Sequence, residues 1–72
     1  MLQRYKIARC LLLDRLNERG ITQTQLANNL LVSKQQVNDW VHMRKIMSAE
    51  TLKTIIVFLQ LEGIDDLYEF KT

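Results

Sequence analysis

The chain has no proline, two glycines among 72 residues, one cysteine and one histidine. With no proline and glycine only at positions 20 and 63, few residues interrupt helix formation, which favours an all-helical chain. The lone Cys10 excludes an internal disulfide, and Cys10 with His42 falls short of a structural zinc ligand set. No apolar run approaches the roughly 20 residues that span a bilayer. The beginning of the chain, where Arg4, Lys6 and Arg9 interrupt the apolar residues, lacks a signal-peptide cleavage pattern. These absences imply a cytoplasmic protein with no membrane association. A phosphate-cradling Gly-rich loop and an evident nucleophile beside a base are missing too, so neither catalysis nor a cofactor is expected.

What is present suits one small domain over residues 1–72. Hydrophobic residues make up 47% and charged residues 25%, an ordinary globular balance. A chain of this size buries only about 60% of the surface its unfolded form exposes, so it has little stability to spare. The net charge of +2 says little by itself, but its distribution is uneven. Residues 1–53 carry nine bases against four acids, a balance of +5, and residues 54–72 one base against four acids, a balance of −3. A basic body with an acidic end can turn one face toward phosphate.

The stretch from Gln23 to Trp40 organises the rest. Leu26, Ala27 and Leu30 fall on the inner face of one short helix, and Val37, Trp40 and Val41 on that of a second. Each helix start carries the same signal. Ser33 and Gln36 can form a capping box, as can Thr22 and Gln25 eleven residues upstream, which leaves room only for a short first helix and a tight turn.

Counted from Gln23, the pattern of Leu26, Ala27, Leu30, Val37 and Trp40 resembles the Cro and lambda-repressor-like helix-turn-helix family. The resemblance extends from Gly20-Ile21-Thr22-Gln23 to the basic exit between Trp40 and Ser48, with the helix-turn-helix core at about 23–42. It implies an all-α, compact bundle of about five short helices. Leu31 stands where the family usually has glycine, Met43 where glycine often follows the second helix, and Met47 where proline often precedes the next. A left-handed Leu31 would cost roughly 1–2 kcal/mol, so the turn is expected to relax toward ordinary angles.

Taken in order, residues 2 to about 19 read as a first helix with an apolar stripe of Tyr5, Ala8, Leu12 and Leu16, widened by Ile7 and Leu11 and ended by Gly20. Leu13 lies off the stripe and reads as a surface leucine. Ser48 caps a fourth helix reaching about Leu61, with Leu52, Ile55, Ile56 and Leu59 as its core face and Gly63 ending it. Ile64 to Phe70 reads as a last short helix. Val57, Phe58 and Leu61 exceed one stripe, so either the tail folds back over this helix or the apolar surface forms a symmetric dimer. Phe58, Leu61, Leu67 and Phe70 are the candidate dimer surface.

The resemblance also supplies a docking geometry. The helix from about Gln23 to Leu30 would cross the DNA backbone, with its first amides and Gln23 at a phosphate. The helix from about Lys34 to His42 would enter the major groove. With Val37 inward, Gln35 and Asp39 lie nearly opposite it, with Asn38 and His42 beside them. Lys34, Gln35, Asn38 and Asp39 are the candidate base contacts: amides suit adenine, and Asp39 would either read cytosine or repel wrong sites. Gln36 shares its capping duty with a candidate phosphate contact, and Arg44 and Lys45 follow the groove helix along the backbone as further phosphate contacts. The expected function is a sequence-specific transcriptional regulator, a Cro-like bacterial or phage repressor that binds a double-stranded operator, an inverted repeat, as a homodimer. The competing reading is a protein-interaction module, antirepressor or antitoxin-like, that keeps the fold and binds a protein partner.

Overall fold

The computed structural model describes residues 2–72. Strand β1 (Lys6–Cys10) leads into α1 (Leu12–Glu18), α2 (Gln23–Leu30), α3 (Lys34–Val41) and α4 (Ala49–Phe58). A 3-10 turn (Ile64–Asp66) and strand β2 (Tyr68–Lys71) complete it. The architecture is therefore four helices with a two-stranded antiparallel sheet, a correction to the all-α bundle of about five helices.

Both ends of the chain depart from the helices expected there, for one physical reason. Lys6 pairs with Lys71, Ile7 with Phe70, Arg9 with Glu69 and Cys10 with Tyr68, with an irregularity between Ile7 and Arg9. In a regular strand, residues three apart face opposite sides. The bulge at Ala8 changes that, and Ile7 and Cys10 both pack against the core while Ala8 and Arg9 are exposed. A three-residue apolar spacing that reads as helical is thus satisfied by a bulged strand. Tyr5, assigned to the helical stripe, is 67% exposed. Arg9 reinforces the pairing through an ion pair with Glu69 at 2.8 Å. The tail returns as a strand paired with β1 and not as a cover for α4: Leu67 and Tyr68 enter the core, and Val57 and Phe58 stay exposed.

The core joins Leu12 and Leu16 of α1, Leu26 and Ala27 of α2, Val37 and Trp40 of α3, and Ile55 of α4 to Met47, Leu59, Leu67 and Tyr68. Tyr68 fills its place without stranding a polar atom, because its hydroxyl accepts the Met47 amide proton at 3.2 Å. That bond ties β2 to the segment leading out of α3.

All four helices end in the same Schellman geometry. In each, the amide just past the left-handed residue bonds back five residues, and the left-handed residue's own amide bonds back three inside it. The outer bonds are Ile21 to Leu16, Val32 to Ala27, Arg44 to Asp39 and Leu61 to Ile56; the inner are Gly20 to Asn17, Leu31 to Asn28, Met43 to Trp40 and Gln60 to Val57. The motif needs a left-handed residue, and only α1 supplies glycine there, Gly20 at φ 66°. The others are Leu31 (57°), Met43 (62°) and Gln60 (57°). Leu31 therefore does not relax as expected, because both bonds that close α2 require its conformation. Likewise Gln60, not Gly63, ends α4, since Gly63 is extended.

Candidate nucleic-acid interface

Two capped starts set α2 and α3. Thr22 accepts the Gln25 amide at 3.1 Å and the Gln25 side chain accepts the Thr22 amide at 2.8 Å, a complete box. Ser33 accepts the Gln36 amide at 3.1 Å, but the return bond from the Gln36 side chain is not made. The second box is half formed, and the exposed Gln36 side chain has no capping duty. Val37 and Trp40 are buried, which turns Gln35 outward and leaves Asn38 and Asp39 half-covered at the edge of the same face.

Gln23 at the start of α2 and Lys34 and Asn38 of α3 line one open depression, together with Leu13, Asn17, Thr22 and Thr24. Lys34, Gln35 and Asn38 border a second hollow beside it. Leu13, Asn17 and Thr24 were not among the residues singled out from the sequence for this face. Their position depends on how α1 and α2 meet, for which residue type gives no signal. Gln36 shares neither depression.

Four of the expected contacts form one network. Arg44 donates through Nε to Asp39 Oδ1 at 2.8 Å and through Nη2 to Asn38 Oδ1. Gln35 Nε2 donates to the same Asp39 oxygen at 2.9 Å. Asp39 is left only 13% exposed at its side chain, against 52% for Arg44. The Arg44 hydrogen bond, followed by that of Gln35 and the nearby charges of Arg44 and Lys45, outweighs desolvation and holds the Asp39 carboxyl below its ordinary value. Its charge is therefore matched within the protein, with Oδ1 engaged by both Arg44 and Gln35. His42 donates through Nδ1–H to the Asn38 carbonyl at 3.0 Å. Lys34 and Lys45 are exposed and have no acidic partner among the described residues.

The candidate dimer residues are distributed differently. Phe58 is 41% exposed, and Val57 beside it 62%. Leu61 and Phe70 are half-buried, Phe70 meeting Tyr68 edge-on at 6.4 Å between ring centres. Leu67 is wholly buried within the monomer and is unavailable to a partner, because the returning tail places it in the core.

Among the described residues no group of three or more His, Cys, Asp or Glu could hold a metal ion, and no helix is long and apolar enough to cross a membrane. No curated protein and no solved structure matches the chain. One family model does, spanning residues 12–72 and so taking in all four helices and β2. Domains of that family are DNA-binding transcription regulators, not enzymes. On this match, and with two capped helices crossing over a buried Leu26–Ala27–Val37–Trp40 contact, the chain belongs to the Cro/C1-type helix-turn-helix DNA-binding domains.

Proposed function

We propose that the protein is a Cro-like repressor that recognises a specific operator and acts by occupying it, excluding polymerase without any catalytic step. The observation that carries this reading is the outward face of α3. Gln35 and Asn38 sit there beside the unpaired Lys34, across an open depression from the start of α2. In this reading α3 lies in the major groove, where Gln35 and Asn38 meet base edges. Gln23 and the first amides of α2 take a backbone phosphate, with Gln36 and Lys45 at others.

Two copies would engage an inverted repeat whose half-sites lie about one DNA turn, roughly 34 Å, apart. The uncovered Val57 and Phe58 at the end of α4, with Leu61 and Phe70 at their rim, are the proposed contact between copies. Leu67 has no part in it.

Selection of the purified protein against a pool of random duplexes at near-physiological salt tests the reading. An enriched inverted repeat is expected. Bound DNA with no enriched sequence, or no bound DNA, refutes operator recognition and leaves the protein-interaction function in its place. The double variant Q35A/N38A should lose the selected sequence while keeping its fold. Lys45→Ala should weaken binding to all duplexes alike and lower the salt dependence by about one phosphate.

A further inference from the structure

Arg44 stands just beyond the end of α3, where a mobile cation would serve a phosphate well. The fold does not leave it mobile. Met43, at φ 62°, turns the chain back so that the Arg44 amide bonds the Asp39 carbonyl at 2.8 Å. In a Schellman motif this closure brings the residue two past the cap against the third residue from the helix end, and the pair is commonly apolar. At the other three helix ends of this chain the corresponding pairs are Ile21 and Leu16, Val32 and Ala27, and Leu61 and Ile56. Only at α3 is the pair charged, Arg44 with Asp39 at 2.8 Å. The same closing motif that elsewhere carries two apolar residues here fixes a guanidinium along the outer side of the groove helix.

The choice of donors matters as much as the contact. A guanidinium offers five N–H donors in a rigid plane. Nε and Nη2 form one edge of that plane, and both are taken, by Asp39 and Asn38. The terminal edge, one N–H from each of Nη1 and Nη2, has no partner among the described residues. Two parallel N–H groups on a fixed plane match the O6 and N7 acceptors of guanine in the major groove. A phosphate can accept the same pair of donors; what favours a base here is place, since Asp39 and Asn38 hold the guanidinium against the outward side of α3 and not free beyond the helix end.

We infer that Arg44 reads a guanine, and that Asp39, braced by Gln35, is the positioning residue that holds the Arg44 guanidinium plane for it. Asp39 then contacts no base. This assignment rests on the operator-binding reading and replaces the phosphate contact for Arg44 and the cytosine contact for Asp39 expected from the sequence. It explains how an acidic residue is tolerated on a face that meets DNA: its charge is matched by Arg44 before any phosphate approaches.

The test uses the selected operator and its single-base variants, with binding followed by fluorescence anisotropy and the fold of each variant by thermal melting. One guanine should matter to the wild type by about tenfold or more. Arg44→Ala should lose about the same factor on the operator and become indifferent to that base. Arg44→Lys should keep the salt dependence and still fail to discriminate. Asp39→Ala should lose discrimination at the same base by about threefold or more, and D39A/R44A should bind no worse than R44A, because the two side chains act as one unit. Arg44→Ala weakening all sequences equally, with Arg44→Lys restoring them, would make Arg44 a phosphate cation and overturn the inference. Additive losses, or tighter binding of D39A to every duplex, would overturn the positioning role of Asp39. Failure of the wild type to select any operator is a separate result, which removes the operator reading and this inference with it.

Discussion

Replacing Leu31 by glycine should stabilise the protein, although leucine is the larger and more hydrophobic residue. Leu31 is 92% exposed, so truncating it removes almost no buried area. Its φ of 57° is left-handed, a conformation that costs a branched L-residue about 1–2 kcal/mol and glycine nothing. Glycine's greater freedom in the unfolded chain offsets about 0.5–1 kcal/mol of that gain. The net expectation is a stabilisation of about 0.5–1 kcal/mol, or a rise in melting temperature of roughly 2–8 °C for a domain of this size. Gly20 provides the opposite measurement. It holds the equivalent position of α1 at φ 66°, and a Cβ placed there meets nothing within 4 Å, so Gly20→Ala carries the same two opposed backbone terms with no change of contact, a net loss of about 0.5–1 kcal/mol. Met43→Gly should gain less than Leu31→Gly, since Met43 packs partly against the core. Circular dichroism melts of the three variants with the wild type decide the matter. If Leu31→Gly melts at or below the wild type while Gly20→Ala melts with it, the left-handed assignment and the strain reasoning are wrong.

Tyr68→Phe should destabilise by about 1–3 kcal/mol in urea titration, because it strands the Met47 amide proton in the core. It should also blunt alkaline unfolding. Burial raises the Tyr68 phenol above its ordinary value of 10.0, so the unfolded chain ionises first. That stability is complete below about pH 10 and is lost as pH rises toward the folded value. A wild type and Y68F with parallel losses above pH 10 would contradict this. Ser33→Ala removes the side-chain cap of α3 and should cost about 1 kcal/mol, with faster hydrogen exchange at the Gln36 amide; Ser33→Asp should restore both.

The helix-turn-helix was legible because every signal for it is local. Thr22 and Gln25, Ser33 and Gln36, and Ser48 mark helix starts through bonds spanning three residues, and all three starts are where their types place them. The inward set of Leu26, Ala27, Val37 and Trp40 follows from helical spacing alone, and it sets which side of α3 is left facing outward. The family resemblance adds the docking geometry, but it could not show that Gln36 makes no return bond or that Asp39 is already occupied.

What the sequence by itself determined, then, is the α2–turn–α3 unit, the α4 core face and the side of α3 that faces outward, all from contacts within a few residues. The tertiary structure alone decided the rest. Lys6–Cys10 becomes a strand only because Tyr68–Lys71 returns to pair with it, and a bulge lets it satisfy a spacing that also suits a helix. Leu67 is core and not surface because that returning strand carries it inward. Arg44 and Asp39 meet because Met43 adopts a backbone conformation rare for its residue type, and the two closing bonds of α3 hold it there. Residue type reports what a side chain prefers; these outcomes depend on what the rest of the fold offers as a partner.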